Sequence, residues 1–189
     1  MTKGKLYVLS GPSGVGKDTI LASLETIDTG FAICVTATTR AMRPGEVEGR
    51  PYTFLTRTEF ENRIASNDFL EYAEVNGGNL YGTPKPWVDR TLAAGTDAIL
   101  KIDVQGGKSI RDLVPDAILI FLAPPSLEEL EARLRSRGTE TEAAIQIRLD
   151  DARTEIAASS DYDYIVVNDE ITVAADRLRC ILVAERCRR

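Results

Sequence analysis

The sequence of 189 residues contains no histidine. This absence excludes a histidine general base, a Ser-His or Cys-His nucleophile pair and any metal site with histidine ligands. Cysteine is scarce as well: Cys34, Cys180 and Cys187 are the only three, and no C-x-x-C spacing occurs. Neither a zinc site nor a disulfide framework is therefore expected. We predict that the three thiols are reduced, as in a cytosolic protein.

Long hydrophobic runs and an excess of positive charge are also missing. The first apolar run, Leu6–Leu9, is too short for a signal peptide or a membrane span. The 23 basic residues are outnumbered by 29 acidic ones, so the net charge of −6 argues against general binding to nucleic acids or anionic membranes. With 43% hydrophobic and 28% charged residues, the composition is that of one globular domain, for which we predict a cytoplasmic location.

The sequence does contain a succession of short apolar runs and helical patterns, which indicates an α/β fold with a parallel sheet. Unbroken apolar runs are typical of strands that are covered on both faces. Residues 36–90 and 126–157 do not fit this core pattern, and we interpret them as two lobes inserted into the sheet scaffold. The predicted strands are Leu6–Leu9, Ala32–Val35, Ala98–Ile102, Ala117–Leu122 and Tyr164–Val167.

Capping boxes of the type S/T-x-x-E predict where three helices begin. Gly138 is the predicted end of the second of these helices, because glycine readily takes the left-handed conformation of a C-terminal cap. The boxes pair Thr56 with Glu59, Ser126 with Glu129, and Thr139 with Glu142.

The strongest local motif matches G-x-x-x-x-G-K and lies between a predicted strand and a helical pattern. It reads Gly11-Pro12-Ser13-Gly14-Val15-Gly16-Lys17. In this motif the glycines let backbone N–H groups turn toward phosphates, the helix N-terminus adds positive potential, and the lysine reaches the β- and γ-phosphates. The plain alternative is a glycine-rich turn with a solvated lysine. Residue 18 is aspartate where serine or threonine would ligate Mg²⁺, so either Asp18 meets the metal through water or Thr19 serves the phosphates.

Several strings of the sequence, taken together, resemble the guanylate kinase family. They are GPSGVGK, TTRAMRPGEVEGRPYTF, FLEYAEVNGGNLYGT, IDVQG and RLRSRGTETE, and the resemblance runs from about residue 6 to residue 169. It implies a P-loop NTPase with a three-layer core around a parallel sheet, formed by residues 1–35, 91–125 and 158–189. It also implies a GMP-binding lobe at residues 36–90 and a helical lid at residues 126–157.

The resemblance assigns a GMP site to the lobe and to the end of one core strand. A carboxylate such as Glu71 can accept from both N1–H and N2–H of guanine, and a threonine hydroxyl can donate to O6. Adenine presents an acceptor at N1, so we expect it to be rejected by roughly 10⁴-fold. Without the resemblance to the family, Arg40, Arg43 and Glu71 would be interpreted as solvent-exposed surface residues. By position, the phosphate and stacking contacts are Arg40, Arg43, Tyr52 and Tyr81, the guanine-reading residues are Thr36, Glu71, Thr83 and Asp103, and Gly82 completes the GMP-binding set.

Arginines dominate the predicted lid. Arg133 and Arg137 are four residues apart, so they share one face of a helix, and Arg148 belongs to the next helix. Such charged faces are usually just solvated. The resemblance instead implies that these three arginines contact ATP and the transferring phosphoryl group, whereas Arg135 and Arg153 face solvent.

The implied reaction is ATP + GMP → ADP + GDP, and the use of dGMP as a further acceptor is an open alternative. Gly11–Thr19 form the implied ATP-binding loop, and Asn168 lies near the adenine. Because a phosphate monoester is largely anionic at pH 7, this chemistry requires no general base, and the missing histidine is no obstacle. The implied catalytic residues are Lys17, Arg40, Arg133, Arg137 and Arg148.

The resemblance also implies Mg²⁺, coordinated mainly by phosphates and water. Asp18 and Asp103 are the predicted outer-shell ligands. Lys101 is a departure from the family, which usually has an acidic residue two places before the aspartate of IDVQG. No metal–water role is therefore predicted for a second carboxylate at position 101, and a contact of Lys101 with phosphate is an open alternative.

Two other functions are compatible with parts of the sequence. A ribose 1,5-bisphosphate phosphokinase on the same scaffold would also have aspartate after the loop lysine, as Asp18 is here, but it would not need a guanine-reading set. A non-catalytic guanylate kinase-like binding module would be expected to have a degraded phosphate loop, whereas Lys17 is present. No oligomeric state follows from the sequence.

Overall fold

The computed structural model describes residues 3–43, 45–75, 78–136 and 141–188. The strands in these ranges are β1 (Leu6–Ser10), β2 (Phe31–Ile33), β3 (Thr36–Thr38), β4 (Tyr52–Phe54), β5 (Phe69–Val75), β6 (Asn79–Pro84), β7 (Asp97–Lys101), β8 (Ile118–Ala123) and β9 (Tyr164–Val167). The α-helices are α1 (Lys17–Leu24), α2 (Arg57–Ala65), α3 (Lys85–Ala93), α4 (Val104–Leu113), α5 (Leu127–Ser136), α6 (Glu142–Ala157) and α7 (Ile171–Cys187). A 3₁₀ turn follows α6 at Ala158–Asp161.

The strands form two sheets. One has the order β2-β7-β1-β8-β9 and the other has the order β4-β3-β6-β5. In the first sheet β2 pairs with β7 and β8 pairs with β9, and both pairs are parallel. Strands β1 and β7 are buried along their whole length, and β8 along all but its last residue, as their unbroken apolar runs predict. The predicted α/β fold with a parallel sheet is therefore confirmed.

The chain divides into two compact units. The first comprises Met1–Val8, Gly30–Lys101 and Gln105–Ala117, and the second comprises Leu9–Thr29, Ile102–Val104 and Ile118–Arg189. The boundary passes through β1, which contributes residues to both units.

The four-stranded sheet belongs entirely to the first unit. In it β3 pairs with β4 in parallel and with β6 in antiparallel orientation, while β5 and β6 are antiparallel. Its core is the stacked pair Phe60 and Phe69, whose ring centroids are 4.4 Å apart, together with Ala37 and Leu80. A Cβ atom on Gly82 would lie 2.9 Å from ring carbons of both phenylalanines, so this core requires glycine at residue 82.

Four of the five predicted strands agree with the structure to within one residue at each end. The prediction for β9 agrees fully, but the predicted strand Ala32–Val35 is wrong at its end, since β2 stops at Ile33. The N–H of Cys34 still donates to the carbonyl of Ile99, at 2.9 Å. From Thr36 onward the backbone pairs within the other sheet, which removes Val35 from the strand.

The helix caps match the sequence in part. The Thr56–Glu59 capping box is confirmed in both directions. At the second box the Ser126 hydroxyl accepts from the N–H of Glu129, at 3.2 Å, but the Glu129 carboxylate instead pairs with Arg133 at 3.0 Å. The prediction of Thr139 as the third cap is wrong, because the Thr141 hydroxyl accepts from the N–H of Ala144 at the start of α6. Thr139 itself and Gly138 lie outside the described residues.

The long helix α7 belongs to the second unit and packs against α1. Its buried face carries Ala174, Ala175, Leu178 and Leu182 at helical spacing. None of the helices in the described ranges combines the length and the apolar character that a bilayer-spanning segment needs.

Candidate active site

The predicted functional residues form two groups, one in each unit. The loop site, in the second unit, consists of residues 11–19 with the side chains that contact them from α5, α6 and the segment after β9. The sheet site, in the first unit, consists of the polar residues on β3, β4, β5 and β6 together with Arg40, Arg43, Glu46 and Lys101. Asp103, which was predicted to read guanine, lies in the second unit.

The loop site begins where β1 ends at Ser10 and continues into α1, as the motif predicts. Gly11 has φ +147°, and a Cβ atom there would lie 2.2 Å from the Leu122 carbonyl oxygen of β8. Gly16 has φ +101°, and a Cβ atom there would lie 2.7 Å from Nδ2 of Asn168. Both positions therefore require glycine for conformation and for space.

Lys17 is the first residue of α1, and its side chain folds back over the loop. Its Nζ donates to the carbonyl oxygens of Gly11 and Pro12, the latter at 3.2 Å. The ammonium group and the N-terminus of α1 thus lie at the same turn of backbone, an arrangement that suits a bound phosphate. Asp18 and Thr19 follow in the first turn of the helix and are exposed.

Helix α6 contributes two charged groups to the loop. Arg148 Nη1 donates to Ser13 Oγ at 3.2 Å, so this side chain lies at the loop. The Glu155 carboxylate accepts the backbone N–H of Ser13. Burial raises the pKa of Glu155 to about 7, the charge of Lys17 opposes this shift, and those of Asp103 and Asp151 add to it. Glu155 was not predicted from the sequence, although its spacing of seven residues from Arg148 places both on one face of a helix.

Asp103 lies beside two hydroxyl-bearing residues. Its backbone carbonyl accepts from the buried Ser10 hydroxyl at 3.1 Å. Burial raises the pKa of Tyr162 to about 12, the nearby Ser10 hydroxyl opposes this shift, and the charges of Asp103 and Glu155 add to it. This part of the site is therefore rich in oxygen atoms. Among the described residues, however, no group of three or more acidic or cysteine side chains is arranged to hold a metal ion by itself.

Asn168 supports the loop rather than only flanking it. Its Nδ2 donates to the carbonyl of Val15 at 2.7 Å, and its own backbone carbonyl accepts from Arg133 Nη2 at 3.1 Å. Arg133 is thereby held at the loop, whereas Arg137 lies outside the described residues. The side chains of Arg135 and Arg153 are exposed and pair with acidic side chains of α5 and α6, as predicted for solvent-facing residues.

The sheet site contains a buried carboxylate. Glu71 on β5 lies opposite Thr83 on β6, and the Thr83 hydroxyl donates to Glu71 Oε1 at 2.6 Å. Glu71 is 7% exposed and Thr83 is fully buried, and Thr36 on β3 is also buried. Burial, and to a smaller extent the charge of Glu71, raise the pKa of the Cys34 thiol to about 12. The carboxylate is thus fixed in orientation and held in a site of low polarity.

Arg40 makes a two-pronged ion pair with Glu46, a residue that the sequence analysis did not single out. Nη1 and Nη2 donate to the two carboxylate oxygens at 3.0 and 2.7 Å. The hydrogen bonds of this pair raise the pKa of Arg40 and lower that of Glu46. Glu46 also accepts the backbone N–H of Arg43 at 2.7 Å, while the Arg43 side chain is exposed. The predicted phosphate ligand Arg40 is therefore already oriented by its own turn.

Aromatic rings line the same part of the sheet site. Tyr52 and Tyr81 meet edge to face, with ring centroids 6.0 Å apart. The Arg40 guanidinium carbon lies 5.3 Å from the Tyr52 centroid, and Lys101 Nζ lies 4.6 Å from it. Arg40, Tyr52 and Tyr81, which were predicted as phosphate and stacking contacts, are thus brought together.

Comparison with known proteins gives consistent results. The family model described as guanylate kinase matches residues 3–185. A guanylate kinase of Halalkalibacterium halodurans is 49% identical over 187 residues, which cover 99% of this chain and 91% of that protein. One of Lactococcus lactis is 48% identical over 186 residues, which cover 98% of this chain and 90% of that protein. The crystal structure of guanylate kinase from Anaplasma phagocytophilum covers 99% of this chain and 88% of its own, with a TM-score of 0.83 and 34% identity.

Proposed function

The chain belongs to the guanylate kinase family, and we propose that its loop site holds ATP and its sheet site holds GMP. It is an ATP:GMP phosphotransferase, which converts ATP and GMP to ADP and GDP. The curated relatives favour this activity over a ribose 1,5-bisphosphate phosphokinase and over a non-catalytic binding module. We further propose the division into a GMP-binding lobe at 36–90, a lid at 126–157 and a core formed by the remaining residues.

The pair Glu71–Thr83 is the observation that carries the assignment of the sheet site. A buried carboxylate needs hydrogen-bond donors, and Thr83 supplies one at 2.6 Å. Guanine supplies two more, at N1–H and N2–H, whereas adenine would place an acceptor against the negative charge. The hydrogen bond from Thr83 holds Glu71 in place before the base arrives. This arrangement would select guanine over adenine.

The acceptor phosphate is proposed to bind Arg40, Arg43, Tyr52 and Tyr81. A guanidinium held by Glu46 presents its remaining N–H groups in a fixed direction, which reduces the entropy lost when a phosphate binds. The exposed Arg43 side chain supplies a second fork from the same turn.

In the loop site, ATP is proposed to bind along Gly11–Thr19. The backbone N–H groups and the N-terminus of α1 receive the phosphates, and Lys17 leaves the carbonyls of Gly11 and Pro12 to reach the β- and γ-phosphates. Arg148 is close enough to the loop to neutralise charge on the transferred group. Arg133 and Arg137 are proposed to act from the same lid, Arg133 from its anchor on Asn168.

We also propose Mg²⁺ as the divalent ion that accompanies ATP. The described residues offer scattered carboxylates rather than a ligand cluster, which fits an ion that keeps most of its waters and binds chiefly to phosphates. Asp18 and Asp103 are the proposed outer-shell partners. When bound, the ion would neutralise charge on the phosphate oxygens. A cytoplasmic location and the use of dGMP stay predictions.

The chemistry of the transfer needs positioning and charge rather than proton abstraction. The nucleophile is a phosphate oxygen of GMP, which is already largely anionic near pH 7. Lys17 and the arginines stabilise the charge on the transferred phosphoryl group. This requirement agrees with a chain that contains no histidine.

The assignment of Glu71 is tested by comparing Glu71→Gln with Glu74→Gln, an exposed carboxylate on the same strand. We expect Glu71→Gln to raise the KM for GMP by about 100-fold, because charge-assisted hydrogen bonds to the base are lost, while the KM for ATP is unchanged. Glu74→Gln should change neither value. A GMP KM unaffected by Glu71→Gln, or equal losses toward GMP and AMP, would remove Glu71 from base recognition.

A further inference from the structure

Lys101 is the last residue of β7, and it is 7% exposed. Burial of an ammonium group is unfavourable unless nearby groups stabilise its charge. A lysine at the end of a central strand, where the fold alone would accept an apolar residue, therefore points to a role beyond packing. The position also follows a general rule, since ligand sites in open α/β sheets lie at the carboxyl ends of strands.

The ring of Tyr52 lies against this ammonium group. Lys101 Nζ is 4.6 Å from the ring centroid, within the range of a cation–π interaction, and the Arg40 guanidinium carbon is 5.3 Å from the same centroid. Tyr81 meets the ring edge-on. Tyr52 is therefore held by two cations and a second aromatic ring, which together fix the direction of its hydroxyl group.

Binding of the acceptor phosphate at the sheet site requires positive charge near the phosphate. The positive charge of Arg40 is matched by the two-pronged ion pair with Glu46. A phosphate monoester carries between one and two negative charges near pH 7. Arg43 is proposed to supply part of the positive charge that balances the phosphate, and the Lys101 ammonium group lies against Tyr52, whose ring is proposed to contact the phosphate.

We propose that Lys101 is a positioning residue for the acceptor phosphate and that its positive charge acts through the ring of Tyr52. This inference rests on the proposed binding of GMP at the sheet site. It assigns Lys101 to recognition of the phosphate and not of the base. Removal of its charge should therefore weaken binding of a nucleoside monophosphate and leave binding of the nucleoside unchanged.

The experiment compares Lys101→Met, Lys101→Arg and the control Lys108→Met. Met keeps the length and loses the charge, Arg keeps the charge, and Lys108 is an exposed lysine on α4. Steady-state assays give kcat and KM for GMP and ATP, and guanosine is tested as a competitive inhibitor. For Lys101→Met we expect the KM for GMP to rise about 10-fold, with the inhibition constant of guanosine and the KM for ATP unchanged. Lys101→Arg should recover most of the loss, and Lys108→Met should behave as the original protein.

Equal losses toward GMP and guanosine in Lys101→Met would overturn the proposal, because they are the result expected of a purely structural lysine. An unchanged KM for GMP would also overturn it. The variant Tyr52→Leu, alone and combined with Lys101→Met, distinguishes failure of the proposed Lys101 role from failure of the proposed GMP site. If Lys101 acts through the ring, the double variant loses no more than Tyr52→Leu alone, whereas additive losses contradict this route. If Tyr52→Leu does not affect GMP, the proposed sheet site itself is wrong.

Discussion

Replacing Glu155 by glutamine should change how the stability of the protein depends on pH. Burial raises the pKa of this carboxyl from 4.5 to about 7 in the folded protein. The folded state therefore holds the proton more tightly than the unfolded state. The resulting stability is fully present below pH 4.5 and is lost as the pH rises through about 7. Glutamine resembles the protonated form, keeps an oxygen that can accept the N–H of Ser13, and does not titrate.

The expected change in the free energy of unfolding follows from the pKa shift of Glu155. A change of about 2.5 pKa units, at about 1.4 kcal/mol per unit, gives an upper value of about 3.5 kcal/mol. Because Glu155 is only half-buried, screening by solvent reduces this to about 1–2 kcal/mol. The titratable groups that face it are Lys17 on α1, Asp103 before α4, Asp151 on α6 and Tyr162. The chain contains no histidine, so no histidine titration adds to the pH dependence of stability in this range.

The assay is urea unfolding of both proteins at pH 5 and pH 8, with the free energy of unfolding taken by linear extrapolation. From pH 5 to pH 8 the free energy of unfolding of the unmodified protein should fall by about 1–2 kcal/mol more than that of Glu155→Gln. Glu25→Gln, the same change at an exposed carboxyl, should follow the unmodified protein. Parallel pH dependence of the unmodified protein and Glu155→Gln would refute the reasoning.

Three further outcomes are expected. Lys17→Ala should lower kcat by about 100-fold or more while GMP binding, measured by calorimetry, largely survives; unchanged turnover would contradict the loop assignment. In the native protein a thiol reagent such as Ellman's reagent should modify the exposed Cys180 and Cys187 rapidly and Cys34, whose pKa is about 12, only after unfolding. Three rapidly reacting thiols would count against the buried position of Cys34. Gly82→Ala should lower the free energy of unfolding by about 1–3 kcal/mol, because its methyl group would press on Phe60 and Phe69, and a stability unchanged in urea would contradict that packing.

The parallel core and the phosphate loop could be predicted because their signals are local. The strands β1, β7 and β8 are built on apolar runs, and the motif glycines at 11 and 16 both have positive φ. The capping box at Thr56 needs only a hydroxyl and a carboxylate three residues apart, so it too could be found from the sequence.

The four-stranded sheet was not predicted strand by strand, and β5 shows why. Its buried positions Phe69, Glu71 and Ala73 alternate with less buried ones, as in any half-buried strand. A carboxylate at the central buried position, Glu71, hides this alternation in the sequence. Glu155 could not be predicted for a different reason. Its hydrogen-bond partner Ser13 is distant in the sequence, and only the fold brings the two residues together.

The most direct test of the account is an ADP-release assay of the unmodified protein with ATP and five acceptors: GMP, dGMP, AMP, CMP and UMP. If the buried carboxylate Glu71, held by Thr83, selects the acceptor base, kcat/KM for GMP should exceed that for AMP by roughly 10⁴-fold. dGMP, which carries the same base, should also be phosphorylated. Comparable rates with AMP and GMP would contradict the claim that this site reads guanine.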